Sequence, residues 1–89
     1  MLERVIEAHL VKRVAQLGGH AYKFVSPGRV GVPDRMVLLP NRLTFVELKA
    51  TGQKPKPHQL REHERMRALG QTVVVIDSIE QIEALLENT

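Results

Sequence analysis

The sequence contains no cysteine and no tryptophan, and its only aromatic residues are Tyr22, Phe24 and Phe45. The absence of cysteine excludes disulfides, thiolate zinc sites and cysteine nucleophiles. The scarcity of aromatic side chains predicts an aliphatic core, and it argues against nucleic-acid binding by base stacking on an aromatic platform. The chemistry of this chain must therefore come from its charged and polar residues.

Long apolar segments are also missing. No run approaches the roughly 20 apolar residues that are needed to cross a bilayer. The first ten residues, MLERVIEAHL, are charged and amphipathic, unlike a signal peptide. We therefore expect no membrane partner. The length of 89 residues, with 43% hydrophobic residues, predicts one folded domain that spans 1–89.

Acidic residues are scarce in the middle of the chain. Between Ala8 and Arg61 the acidic residues are Asp34 and Glu47 alone, although this interval is rich in lysine and arginine and the net charge is +3. A basic middle with two isolated carboxylates indicates a polyanionic partner. A basic surface that is simply solvated is the alternative explanation.

The pattern of apolar residues predicts an α/β fold. Helical spacing and glycine stops indicate helices over 2–17 and 57–69, and a last helix that Asp77 or Ser78 caps. Short β-branched or alternating runs indicate strands over 20–25, 35–40, 43–50 and 72–77, the last buried on both faces. Three successive strands followed by a helix and a fourth strand predict a mixed four-stranded sheet flanked by helices.

The second and third strands bring the two isolated carboxylates together. We expect a hairpin that turns at Asn41-Arg42, which places Asp34 across from residues near 48–50. Because side chains alternate along a strand, Glu47 and Lys49 share a face. Asp34, Glu47 and Lys49 are therefore predicted to cluster.

Such a cluster suits a divalent cation. Two adjacent carboxylates repel each other unless a cation joins them, and hard oxygen ligands suit Mg²⁺ or Mn²⁺. A bound metal lowers the pKa of water and neutralises phosphoryl charge, and a nearby lysine can hold a water or a phosphate oxygen. This set fits phosphodiester hydrolysis. The alternative is an ordinary Glu47–Lys49 ion pair on a solvated strand.

Two motifs carry a family resemblance. GVPDR at 31–35, followed by FVELKA at 45–50, resembles the PD-(D/E)XK nuclease superfamily. Nearly the whole chain resembles a stand-alone VRR-NUC domain, through the segments VIEAHL, KFVSPGRVGVPDR, VELKATGQKPKPHQ and VVVIDS. The resemblance implies a restriction-endonuclease-like αβββαβ core, here with a C-terminal helix.

The resemblance also implies roles for the clustered residues. Asp34 and Glu47 would bind Mg²⁺ or Mn²⁺ together with the backbone carbonyl of Leu48. Lys49 would position or activate the attacking water.

Two further catalytic residues follow from the resemblance. A glutamate of the first helix would reach the metal, directly or through water, and we choose Glu7, with Glu3 as the alternative. An acid in a first helical turn also favours the helix dipole, which is an explanation that fits Glu3 better than Glu7. Gln59, at the start of a helix, would touch the metal-bound water or the scissile phosphate.

Basic residues near the two motifs are the expected DNA contacts. Lys54 and Lys56 lie in the loop after the third strand, and Arg29 and Arg35 flank Asp34, so that all four are placed to hold backbone phosphates. The histidines show no metal-ligand spacing and are expected at the surface, where His58 is near enough to Gln59 to reach DNA.

The function implied is that of a metal-dependent DNA endonuclease. The resemblance suggests cleavage of branched DNA such as four-way (Holliday) junctions, which needs paired incisions and hence a homodimer, with the first and last helices as candidate dimer surfaces. The alternatives are a flap or single-strand-junction repair nuclease and a non-catalytic DNA-binding module. The same resemblance suggests a cytoplasmic protein of a bacterium or of a phage-infected cell.

Overall fold

The structure, a computed structural model, describes residues 1–87 and 89. Its helices are α1 (Glu3–Gln16), α2 (Pro57–Ala68) and α3 (Ile79–Leu86), and its strands are β1 (His20–Lys23), β2 (Arg35–Leu39), β3 (Arg42–Leu48) and β4 (Val73–Ile76). The order αβββαβ with a C-terminal helix is the predicted one. The strands are shorter than expected, since each ends where backbone pairing ends.

The strands form one mixed sheet in the order β1-β2-β3-β4. The first three are antiparallel neighbours, and β4 runs parallel to β3 after the α2 crossover. This confirms the predicted mixed sheet. The expectation that β4 is buried on both faces is wrong, because β4 is an edge strand whose Val74 and Val75 are only half-buried.

An aliphatic core lies between the sheet and two helices. α1 and α3 pack on the sheet face that carries alternate residues of β2 and β3, so the core contains Ile6, Leu10, Val14, Val37, Leu39, Val46, Leu48, Ile76, Ile82 and Leu86. Burying each such side chain contributes roughly 1.5–3 kcal/mol. Because Glu47 alternates with Val46 and Leu48, it points to the opposite face, where Gln59 and His63 of α2 meet it.

The β2–β3 turn decides which residues face each other. It consists of Pro40 and Asn41, one residue earlier than predicted, since Leu39 pairs with Arg42. Asn41 has a φ of 61°, and a proline followed by a left-handed residue is the pattern of a type II turn. Arg35 pairs with Val46, so the next residue out, Asp34, lies opposite Glu47 rather than 48–50.

Helix starts agree with the expected chemistry. The Ser78 hydroxyl accepts a hydrogen bond from the Gln81 backbone N–H at 3.2 Å and caps α3, while Asp77 instead accepts from the Gly52 N–H at 3.0 Å. The Gln59 side chain accepts from the Lys56 N–H at 2.8 Å at the start of α2. Within the described residues, no helix has the length and apolar character that crossing a membrane requires.

Candidate active site

The carboxylate pair, Asp34 and Glu47, lies on the α2 side of the sheet. Asp34 immediately precedes β2, and its Oδ2 accepts a hydrogen bond of 2.8 Å from the Leu48 backbone N–H. This bond ties Asp34 to β3 next to Glu47. The structure brings Asp34, Glu47 and Lys49 together as predicted. The strand register differs from the predicted one, because the turn lies at Pro40 and Asn41.

Glu47 is almost completely buried, with 1% of its surface exposed. Its Oε2 accepts from the Gln59 Nε2 at 3.1 Å and lies 3.3 Å from the Lys49 Nζ. Its Oε1 has no hydrogen-bonding partner among the described residues. Burial, and then the negative charge of Asp34, raise the pKa of Glu47 to about 7, while Lys49 acts in the opposite direction.

These surroundings fit a hard divalent cation. A buried carboxylate oxygen without a partner is costly, and a cation between the carboxylate pair would satisfy the oxygen and remove the repulsion. Within the described part of the chain, no three histidine, aspartate or glutamate side chains gather as a ligand set. Mg²⁺ commonly binds through one or two carboxylates and takes its other ligands from water and substrate phosphates, so two carboxylates suffice.

His63 also reaches the site, and its place there was not predicted. Its ring is fully buried, its Nε2 lies 3.9 Å from the Glu47 Oε1, and neither ring nitrogen has a partner within the described chain. Burial, and then Arg67, lower the pKa of His63, which favours the neutral ring. The expectation of a surface histidine is wrong here. The signal was its spacing of four residues from Gln59, which puts both side chains on one helix face.

The two glutamates of α1 have different surroundings. The Glu7 carboxylate is ion-paired with Arg35, with 2.9 Å between Oε2 and Nε. Glu3 is the acid of α1 whose charge helps to raise the pKa of Glu47. The Thr51 N–H donates to the Met1 carbonyl at 3.1 Å, which holds the start of α1 at the loop after β3. Glu3, the alternative, thus interacts electrostatically with Glu47, whereas a catalytic role for either Glu3 or Glu7 stays a prediction.

The predicted DNA contacts divide into two groups. Lys54 and Lys56 are exposed in the loop that precedes α2. Arg35 is largely buried and also donates to the Ala21 carbonyl at 2.9 Å, and Arg29 is ion-paired with Glu62 at 3.3 Å. The two lysines are therefore freely presented, whereas the two arginines are already engaged within the protein.

Comparisons with known proteins agree with this geometry. No family model matches the chain. The chain is 64% identical over 77 residues to "Putative nuclease p44" of Acyrthosiphon pisum secondary endosymbiont phage 1, which covers 85% of this chain and 83% of that protein. It is also similar to a solved structure described as a VRR_NUC domain, with a TM-score of 0.88 and 42% identity over 96% of this chain and 94% of the other.

Proposed function

Because the chain belongs to the VRR-NUC domain family of nucleases, we propose that it is a DNA endonuclease that depends on Mg²⁺ or Mn²⁺. The observation that supports metal dependence most directly is the state of Glu47. A carboxylate that is buried beside a second carboxylate, with one oxygen that has no hydrogen-bonding partner in the described part of the chain, is poorly stabilised as an anion by these surroundings. It is well suited to a cation that arrives with water or substrate.

Asp34, Glu47 and the Leu48 carbonyl are the groups that would hold the cation. When bound, it would supply charge neutralisation for the phosphoryl group and a more acidic water. The Leu48 N–H keeps Asp34 in place, and Gln59 keeps Glu47 in place, so both carboxylates are oriented before substrate arrives.

Among the described residues, Lys49 is the cationic side chain that contacts the carboxylate pair. Its ammonium lies 3.3 Å from the Glu47 Oε2 and its side chain is 14% exposed, so it faces a largely water-excluded site. In such surroundings a fixed positive charge interacts strongly with charge that develops on a phosphate oxygen. We assign to Lys49 the role of holding the attacking water or a non-bridging phosphate oxygen. Gln59, together with Glu3 or Glu7, would orient the groups around Lys49.

The proposed substrate is branched DNA, with the four-way junction as the leading form. A chain of 89 residues offers a small footprint on DNA, and paired incisions need two sites related by symmetry. A homodimer would provide them. A flap or single-strand-junction nuclease is the second candidate, since the same metal site serves either substrate. Because the related protein comes from a phage, we propose that this chain acts in the cytoplasm of a bacterium or of a phage-infected host cell.

The test is a cleavage assay on labelled four-way junction, flap and linear duplex, each with Mg²⁺, with Mn²⁺ and with EDTA. Asp34→Asn is the variant, and Glu80→Gln, an exposed acid of α3, is the matched control. Paired symmetric nicks in the junction, absent with EDTA and with Asp34→Asn, are expected. Cleavage of flaps by a monomer would replace the junction proposal with the second candidate. Cleavage that persists in EDTA would overturn the metal dependence, and binding without any cleavage would indicate a DNA-binding module.

A further inference from the structure

A depression lies beside the candidate active site, between the loop that precedes Asp34 and helix α2. It is a pocket of about 380 Å³. Residues 28–30 of the loop form one wall, and α2 forms the other with His58, Arg61, Glu62 and Arg65. We call it the arginine pocket, because Arg29, Arg61 and Arg65 carry most of its charge.

A buried carboxylate organises this pocket. The Glu62 side chain is 7% exposed, and its Oε1 lies 3.3 Å from the Arg29 Nη1 and 3.4 Å from the Arg65 Nε. The two guanidinium side chains are 48% and 52% exposed. Each is therefore held by Glu62 at one edge and keeps about half of its surface available. With Arg61 exposed alongside, three cations surround one anion, and the pocket has an excess of positive charge.

The loop wall is fixed by close backbone packing. Gly31 has a φ of 85°, and a Cβ at this position would come within 2.7 Å of the His58 carbonyl oxygen. The loop backbone therefore lies directly on the first turn of α2, where only glycine fits. The loop that carries Arg29 is held against α2 by this packing as well as by the Arg29–Glu62 ion pair, so the pocket is formed before any ligand binds.

The arginine pocket and the candidate active site share one helix. His58, Arg61, Glu62 and Arg65 have the spacing of one helix face, and Gln59 and His63, on the neighbouring face, contact Glu47. The loop wall continues directly into Asp34. A ligand that carries anionic groups in a regular row would therefore meet both places at once.

We propose that the arginine pocket binds a DNA backbone phosphate other than the one that is cleaved, and so sets how the strand lies across Asp34 and Glu47. This inference rests on the proposed function. Guanidinium groups match phosphate oxygens in a forked geometry, and preorientation by Glu62 lowers the ordering cost of that match. The binding residues are Arg29, Arg61 and Arg65, and Glu62 is a positioning residue.

The first experiment measures DNA affinity by fluorescence anisotropy in EDTA, so that binding is read without cleavage. Arg61→Gln is compared with Lys12→Gln, which removes one exposed charge from α1 on the other side of the sheet. Arg61→Gln is expected to weaken binding roughly tenfold and to lower the slope of log affinity against log salt by about one. Equal effects of the two substitutions would overturn the pocket as a specific site.

The second experiment identifies the phosphate. Single phosphates of the DNA are replaced by neutral methylphosphonates, and each is combined with Arg61→Gln. One internal phosphate, away from the cut position, is expected to lose its contribution in the variant. DNA with and without terminal phosphates separates an end phosphate from a backbone phosphate. Coupling only to the scissile phosphate, only to an end phosphate, or to none would each overturn the proposal.

Glu62→Gln tests preorientation against simple charge. The substitution adds to the positive charge of the pocket but removes the carboxylate that holds both arginines. Unchanged or weaker binding is expected, with circular dichroism to verify folding, whereas tighter binding would show that bulk charge alone acts. Cleavage by the unmodified chain with Mg²⁺ is measured separately. Its absence would refute the nuclease proposal while the binding results still decide the pocket.

Discussion

Two buried glutamates, Glu47 of β3 and Glu62 of α2, differ in their surroundings. Glu62 contacts two arginines, so its charge is balanced within the protein. Within the residues that the structure describes, Glu47 has a second carboxylate beside it, one lysine in contact with it, and an oxygen without a hydrogen-bonding partner. Burial is common to both. The difference in charge balance makes Glu62 part of the framework, whereas the negative charge around Glu47 is balanced only in part by Lys49.

The largest expected effect tests whether Glu47, whose charge is the less balanced of the two, belongs to the site that cleaves DNA. Asp34→Asn or Glu47→Gln should reduce cleavage by at least a hundredfold, because each removes a charge from the proposed metal ligands and metal stabilisation is worth several kcal/mol. Cleavage rates at saturating Mg²⁺ measure this, with Glu80→Gln as control. Full activity in either variant would remove the carboxylate pair from the mechanism.

The next prediction concerns stability and pH at Glu47. Its carboxyl has an ordinary pKa near 4.5 and a pKa of about 7 when folded. Below pH 4.5 both states are protonated. Between 4.5 and 7 the folded state keeps a proton that the unfolded state releases, so the free energy of unfolding falls as pH rises, by about 3 kcal/mol in total.

The substitution Glu47→Gln should abolish that decline. Without metal, the variant should therefore be more stable than the original chain above pH 7, and the difference should vanish near pH 4.5. Urea unfolding at pH 5 and pH 8 in EDTA measures it. A pH-independent difference would mean that packing, and not ionisation, determines the effect.

The same change at Glu62 should have the opposite sign. Glu62→Gln leaves two half-exposed arginines without their carboxylate, and we expect a loss of about 1–2 kcal/mol at neutral pH. Urea unfolding next to Glu47→Gln gives the contrast directly. Stabilisation by Glu62→Gln would show that the two buried glutamates are alike after all.

The smallest effect is expected in the loop after β3. Lys54→Ala with Lys56→Ala should weaken DNA binding several-fold and flatten its salt dependence, because both ammonium groups are exposed and screened. Anisotropy titrations over a range of salt measure the slope. An unchanged slope would remove this loop from the DNA contacts.

Local patterns predicted the element order and the approach of Asp34 to Glu47 and Lys49, because both depend on short-range periodicity. The hairpin register was predicted two positions away, since it depends on which residue adopts the left-handed conformation, and that is Asn41. The pattern Pro40-Asn41 is the local signal for this turn, because proline suits its first central position and asparagine tolerates a positive φ at its second.

Contacts between distant elements were harder to predict. His63 could be placed on the Gln59 face of its helix from spacing, but only the packing of α2 on the sheet brings that face to Glu47. The Arg29–Glu62 pair joins residues that are 33 apart in the chain, and no local sequence pattern predicts it. Likewise, the pairing of Glu7 with Arg35 depends on how α1 packs on the sheet next to β2, which local sequence patterns do not specify.

The turn at Pro40–Asn41 has a consequence for how the chain can be altered. It lies about 20 Å along the hairpin from Asp34, at roughly 3.4 Å per residue, where no substrate contact is expected. Strand residues alternate between faces, so one inserted residue that entered a strand instead of the loop would shift the pairing and take Asp34 away from Glu47. An insertion at this remote turn is therefore compatible with the site only if the added residue stays in the loop and Leu39 still pairs with Arg42.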